Sequence, residues 1–406
     1  MYITALDIGS NQIKILVTEI DGEKSSLLGV VKIPSAGVRR GEVICLEDII
    51  HSLSAAVGEI KKVDKAALKN IFVNINGANV KIQASRGIVV VSRADNEIYE
   101  EDIDRVIKAS QAINIDLNRT IIHTLTTEFV VDGIGDIGDA SGMIGSRLEV
   151  NSLIVDAFKP TINNVIKTVE VLGGKLGGLI YNPLAAQKSV LSKIQKELGT
   201  VMIDIGFGTT GISVYEENKL LQAAVFPIGI SHIINDLAIG LKCSIKTAEA
   251  VNLTFGSAMP KDVSTKEKIE LNQIDESLNF SVSRRFVTEI IESRLAEIFE
   301  LVNNKLKSIN RFGKLPAGAI ITGGGAKIPG VIDLAKQELK LPSQIGVPSL
   351  MEMGILDSEK DGKIGDPEFA VAAGLILWGR EQLLKNKGWN VSQNKFVTKI
   401  LKNFMP

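Results

Sequence analysis

One short pattern occurs twice in this chain, once near the N-terminus and once at mid-chain. Ala5-Leu-Asp-Ile-Gly-Ser-Asn-Gln-Ile-Lys-Ile-Leu-Val-Thr-Glu-Ile-Asp-Gly-Glu matches Met202-Ile-Asp-Ile-Gly-Phe-Gly-Thr-Thr-Gly-Ile-Ser-Val-Tyr-Glu-Glu-Asn-Lys in order and spacing. Each copy predicts strand, glycine turn, strand, turn, strand. A duplication of this kind constrains the architecture more firmly than local propensity does. In the second copy, Gly206-Phe-Gly208-Thr-Thr-Gly211 has the spacing of a dinucleotide fingerprint, which requires a helix to open at its last glycine. Here Gly211-Ile-Ser-Val-Tyr alternates, turns at Glu216-Glu-Asn and runs into Leu220-Leu-Gln-Ala-Ala-Val-Phe, so the segment predicts a β-hairpin. A P-loop is excluded as well. The Gly-Lys pairs ending at Lys175, Lys314 and Lys363 are each followed by an aliphatic residue instead of the Ser or Thr that would hold magnesium.

The rest of the chain narrows the function classes. At 406 residues it has room for two to three domains, and a net charge of −1 gives no basic field for nucleic acid. Cys45 and Cys243 stand alone and are expected to be buried thiols in a reducing compartment. His51, His123 and His232 lack metal-site spacing. Met1 to Leu6 runs directly into Asp7 and Gly9 without the features of a signal peptide, which predicts a cytoplasmic protein. The most apolar stretch, Phe369 to Trp378, falls short of the ~20 residues that span a bilayer, so membrane contact is expected to be peripheral. Between the two copies, Gly87-Ile-Val-Val-Val-Ser and Glu128-Phe-Val-Val-Asp flank an amphipathic helix near Glu100 to Ile113, which predicts an inserted α+β unit. Helical periodicity returns over Ile230 to Phe255 and Val282 to Ile309, with a polar loop from Ser257 to Ser277 between them.

Two facing hairpin turns, each opened by Asp-x-Gly, can clamp a phosphate chain with backbone N–H groups, because glycine lets the oxygens approach closely. Asp7 and Asp204 would then orient waters around a phosphate-bridging Mg²⁺, and Lys14 would neutralise a phosphate oxygen. A third element, Ala319-Ile-Ile-Thr-Gly-Gly-Gly-Ala-Lys-Ile-Pro-Gly-Val, predicts a strand, a triple-glycine turn able to lie flat against a purine, and a helix. Any one such turn is ordinary. Three in this order point to a nucleotide.

These residues resemble the phosphate-1, phosphate-2 and adenosine motifs of the actin, Hsp70 and sugar-kinase superfamily. Gly37-Val-Arg-Arg-Gly-Glu-Val-Ile, Gly142-Met-Ile-Gly-Ser-Arg-Leu-Glu and Ile290-Ile-Glu-Ser-Arg-Leu-Ala-Glu-Ile-Phe narrow the resemblance to the FtsA family of bacterial cell-division proteins, over nearly the full length. The resemblance implies an α/β actin-like ATPase fold, with two duplicated ribonuclease-H-like domains, an inserted α+β subdomain 1C and a C-terminal amphipathic helix. It implies ATP held by Gly9, Ser10, Asn11 and Lys14 (phosphate-1), by Gly206, Gly208, Thr209 and Thr210 (phosphate-2), and by Gly323, Gly324 and Gly325 (adenosine). Asn182-Pro-Leu-Ala-Ala and Asp366-Pro-Glu-Phe-Ala-Val-Ala-Ala-Gly resemble the two connecting helices of the hinge. Where the family pattern Ala-Glu-x-x-Lys approaches the adenosine, this chain keeps Glu249 but has Asn252 in place of the lysine, which predicts weaker ribose-side contacts. Slow hydrolysis would go through a water near Asn182 and Asp204, with no strong base beside it. The implied division is subdomain 1A over 1–82, 164–196 and 370–384, 1C over 83–163, 2A over 197–245 and 320–369, and 2B over 246–319. In that family 1C contacts the neighbouring subunit of a filament. Arg285, Glu289 and Arg294 lie in the region that binds the acidic C-terminal peptide of the tubulin-like FtsZ.

After a polar linker over 385–394, residues 395–406 sort at helical spacing. Phe396, Val397, Ile400, Leu401 and Phe404 share one face, flanked by Lys395, Lys399 and Lys402. This is the composition of an interfacial helix for anionic lipid, and the family ends in one. The implied function is a polymerising adaptor that ties FtsZ filaments to the cytoplasmic face of the membrane at the division site and recruits later division proteins. Two alternatives share the fold. A sugar or metabolite kinase leaves the basic, apolar tail unexplained. A PilM-like pilus assembly protein lacks such a tail.

Overall fold

The computed structural model describes residues 1–21, 24–349, 354 and 364–388. The repeat in sequence is a repeat in space. In the first five-stranded sheet, Tyr2–Ile8, Gln12–Asp21 and Lys24–Pro34 form an antiparallel meander. Ile71–Ile75 then pairs parallel to Tyr2–Ile8, and Leu176–Tyr181 pairs parallel to Ile71–Ile75. The second sheet repeats this plan strand for strand. Thr200–Ile205, Thr210–Glu216 and Lys219–Phe226 form the meander, Ala319–Thr322 pairs parallel to Thr200–Ile205, and Ser343–Ile345 pairs parallel to Ala319–Thr322. The central strands Tyr2–Ile8 and Thr200–Ile205 are buried on both faces, as expected of strands flanked and covered on all sides.

Helices cover these sheets where apolar stripes allow. Leu46–Val63 opens with Glu47 and Asp48 in its first turn, and Arg284–Ser308 closes with Lys305 and Lys307 in its last, both suiting the helix dipole. One core joins the first sheet to the helices Asn182–Val190 and Ala370–Gly388 and continues onto Met202, Val225 and Ile320 of the second sheet. The other core packs Ile230–Leu241, Arg284–Ser308 and Val331–Leu339 against the second sheet's opposite face. The two connecting helices meet at bare backbone. A Cβ on Gly374 would overlap the Ala185 carbonyl, while Ser189 Oγ donates to the Ala370 carbonyl at 2.6 Å and Trp378 Nε1 to the Leu184 carbonyl at 3.1 Å.

Between the first and second copies, Lys81–Val90, Arg147–Phe158, Arg119–Val131 and Ile134–Ile137 form a separate four-stranded sheet, in that spatial order. The helix Glu100–Ser110 packs on it around Ile98, Val106, Leu148 and Val150. Asp102 caps that helix by accepting from the Tyr99 N–H at 3.2 Å. This insert leans on the second sheet's edge, where Lys219 Nζ reaches Asp136 at 2.6 Å and Glu128 at 3.2 Å.

Differences from the sequence expectations have local causes. The expected helix from Val282 starts at Arg284, because Ser281–Ser283 pairs with Lys268–Glu270 inside the expected polar loop. The helix expected to reach Ile113 ends at Ser110, whose hydroxyl turns back to the Ile107 carbonyl at 2.7 Å. Cys45 and Cys243 are half-buried, not buried. Among the described residues, no helix is long and apolar enough to cross a membrane. Phe396, Val397, Ile400, Leu401 and Phe404, expected to face lipid, lie outside the described residues, as does the linker from 389 onward.

Candidate functional site

The two glycine turns face each other across a cleft between the sheets. In the first, the Gly9 N–H donates to the Gln12 carbonyl at 3.1 Å; in the second, the Gly206 N–H donates to the Thr209 carbonyl at 2.9 Å. They nearly touch. A Cβ on Gly208 would sit 2.8 Å from Ser10 Oγ, and Ser10 Oγ accepts from the Gly41 N–H at 2.9 Å. The cleft is lined by Asp7, Gly9, Ser10, Asn11 and Lys14 from the first side and by Asp204, Gly206, Gly208 and Thr209 from the second. Asn182, Gly323 and Gly324 of the expected set line it as well. The triple-glycine turn is tied to the second connecting segment, since Gly323 N–H and Thr322 Oγ1 both donate to the Pro367 carbonyl, at 3.1 and 3.0 Å. Gly323 has φ +81°, and a Cβ there would collide with Asp204 Oδ1.

Three residues expected at the nucleotide stand off the cleft wall. Thr210 is fully buried and its hydroxyl donates to the Ile228 carbonyl at 2.9 Å. Gly325 packs against Ile205, and Glu249 sits half-buried on the helix Ile245–Phe255. The wall also includes residues not expected there, among them Asn74 and Asn76, outside the motifs, and Glu368, inside the second connecting segment. Two of them had a signal, because Val73-Asn-Ile-Asn-Gly puts two polar side chains on one face of an otherwise apolar strand. Asn76 Nδ2 donates to Thr209 Oγ1 across the cleft at 3.0 Å. Glu368 accepts from Lys32 at 2.7 Å and Lys327 at 3.4 Å.

At the floor lie two buried carboxylates. Burial raises the pKa of Asp204 to about 7, with the Asp7 charge adding to the effect and Lys14 and Asn182 opposing it. Burial raises that of Asp7 too, against the pull of Lys14, whose Nζ is 3.4 Å away. Desolvated anions this short of positive charge are the donor set a cation with its own waters requires. Among the described residues no cluster of three His, Cys, Asp or Glu side chains could hold a metal. An ion here would therefore draw its other ligands from water and phosphate.

The helix Arg284–Ser308 carries the three residues expected at the partner peptide. Arg285 pairs with Glu289 one turn on, at 3.3 Å. Arg294 is committed more deeply, gripping Asp236 with two nitrogens at 2.7 and 3.0 Å and also meeting Glu297.

Comparison with known proteins decides the family. Residues 201–374 match the family model "Cell division protein FtsA", and residues 77–156 match the "SHS2 domain inserted in FTSA". Cell division protein FtsA of Bacillus subtilis (strain 168) is 32% identical over 93% of this chain and 82% of its own. The chain belongs to the FtsA family. The inserted sheet is thus the SHS2 domain characteristic of FtsA. Among solved structures, the PilM-PilN type IV pilus biogenesis complex aligns with a TM-score of 0.64 at 17% identity, over 93% of this chain and 98% of that one. MreB5 of Spiroplasma citri bound to ADP aligns at 0.56 and 13%, over 96% and 99%. At such identities these likenesses show the actin-like fold alone, and the first does not favour a pilus role.

Proposed function

We propose that this FtsA-family chain binds ATP with Mg²⁺ in the cleft, assembles into an actin-like filament and tethers FtsZ filaments to the cytoplasmic face of the membrane. The single observation that carries the nucleotide reading is the pair of opposed glycine turns over two buried, under-neutralised carboxylates. The residues fit the group. Glycines at 9, 206 and 208 put no side chain between the turn backbones and a phosphate oxygen, Lys14 supplies one cation, and Asp7 with Asp204 would hold Mg²⁺ through its waters. Bound there, the metal would neutralise phosphate charge. Asn182 engages its amide on Asn74 and Asp204 and is no base, and Asp7 with Asp204 would be taken up in orienting the ion's waters, so turnover would be slow and the nucleotide acts as a switch. MreB5, which shares the fold, carries ADP in its solved structure.

The outer parts of the reading follow from the family. We assign the FtsZ peptide to the helix carrying Arg285, Glu289 and Arg294. Arg285, with one surface carboxylate to displace, is its readier cation. The SHS2 insert would contact the next subunit, and the implied subdomains 1A, 1C, 2A and 2B would move about the connecting helices. Residues 395–406 would lie in the anionic leaflet, each lysine adding about 1 kcal/mol, and a filament bearing many tails would bind by avidity. Filaments on the membrane would then recruit later division proteins.

The test is co-sedimentation with anionic liposomes, with and without Mg-ATP, comparing the full chain with one ending at Gln393. The full chain should pellet, more so with ATP, and the shortened chain should not. If shortening changes nothing and neither sediments, the tail is a docking element and the tethering role is lost.

A further inference from the structure

Beneath the two carboxylates runs an unbroken line of amide hydrogen bonds that joins the sheets. The Ile8 N–H donates to Asn74 Oδ1 at 2.7 Å, which turns Asn74 Nδ2 inward. That nitrogen donates to Asp7 Oδ1 at 3.0 Å and to Asn182 Oδ1 at 2.9 Å. With its oxygen claimed, Asn182 must present Nδ2 to Asp204, and it donates to Oδ2 at 3.1 Å. A backbone N–H thus dictates the direction of both amides. Reversing Asn182 would set its carbonyl oxygen against a carboxylate oxygen. Each carboxylate receives one neutral donor and keeps one oxygen outside the line: Asp7 Oδ2, on the side of Lys14, and Asp204 Oδ1, on the side of Gly323.

We propose that Asn74 is a positioning residue, which holds Asp7 directly and, by fixing the direction of the Asn182 amide, holds Asp204, so that both carboxylates stand in register for a divalent cation. This rests on the cleft being the cation and nucleotide site proposed above. Neutral donors suit the task. They orient the anions without supplying the positive charge that a lysine would, and so leave the cation its electrostatic gain. The line also spans the cleft, with Asp7 and Asn74 on the first sheet, Asn182 at the start of the connecting helix and Asp204 on the second sheet.

The experiment uses the full chain and Mn²⁺, whose free ion is counted by electron paramagnetic resonance, titrated with and without a non-hydrolysable ATP analogue. Asn74→Ala, Asn182→Ala and the double variant are compared with the parent, with Asn74→Ser standing in if Asn74→Ala melts before the parent. Loss of an outer hydrogen-bond partner of a metal ligand costs about 10- to 100-fold in affinity. Each single variant should therefore weaken Mn²⁺ by at least about tenfold. Because both act through one line, the double should add no more than about threefold. If the Asn74 variants fold and hold Mn²⁺ within twofold of the parent, or the double shows the full product of the single losses, the inference is overturned. It is overturned too if the parent binds no Mn²⁺ in either arm. If the parent binds Mn²⁺ but no nucleotide, and Asn74→Ala still loses the ion, the nucleotide reading fails while the role of Asn74 stands.

Discussion

Replacing Asp204 with asparagine should stabilise the nucleotide-free protein, by a margin that grows as pH rises from about 4 to about 7. Burial beside Asp7 raises this carboxyl from its usual 3.8 to about 7. Between those values the folded chain retains a proton that the unfolded chain has released, so stability falls as pH rises through that window. At about 1.4 kcal/mol per pH unit, the ionised group costs about 4 kcal/mol by pH 8 and almost nothing near pH 4. An asparagine keeps an oxygen for the Asn182 amide and carries no charge to desolvate. For a cooperative unit of 150–250 residues each kcal/mol moves the melting temperature by about 2–4 °C, so Asp204→Asn should melt on the order of 10 °C higher at pH 8. Melting curves by circular dichroism in EDTA at pH 5, 6, 7 and 8 read this directly, with the gap between the proteins widening at each step. A variant that melts at or below the parent at pH 8, or above it by the same margin at every pH, would refute the reasoning.

His123 has the opposite sign. Burial lowers its pKa from 6.5 to about 4, and its Nε2 accepts the Tyr181 N–H at 3.1 Å, so the folded ring stays neutral where the unfolded chain takes a proton. Stability is lost as pH falls from 6.5 to 4, by about 3 kcal/mol. His123→Gln, whose amide oxygen can accept the same N–H, should flatten that acid limb in melts from pH 7 to 4.5; an equally steep loss would count against it. Gly374→Val should lower the melting temperature, since the connecting helices must part to clear the Ala185 carbonyl, and overpacking of this kind costs about 1–3 kcal/mol or more. An unchanged melting temperature would show that the helices do not meet as closely as described.

The frame was legible because it is periodic. The two Asp-x-Gly hairpins and the triple-glycine turn mark themselves by alternation and by residues that tight turns need, whereas the connecting helices at Asn182 and Ala370 are legible through the family resemblance. The motifs also led to Asp7 and Asp204, whose carboxylates lie at the cleft floor. They did not lead to Asn74, on a strand that pairs with Tyr2–Ile8 from far along the chain, or to Asn76 just past its end, both of which acquire partners only in the fold. Motif matching also extends too far along a strand. Thr210 follows Thr209 in the phosphate-2 pattern, but strand alternation turns its side chain to the Ile228 carbonyl. The pairing of Arg294 with Asp236 could not be read from a local pattern, because Asp236 lies on another helix.

Lys219 gives the insert a second point of support. The insert is covalently part of the first half of the chain, yet its Glu128 and Asp136 hold a lysine of the second sheet. Any rotation that separates the two sheets must therefore either release this lysine or swing the insert with it. A half-buried ion pair is worth about 1 kcal/mol at most, which shifts a two-state balance by roughly fivefold. The tie is accordingly a bias and not a lock. Thermal motion can therefore break and remake it.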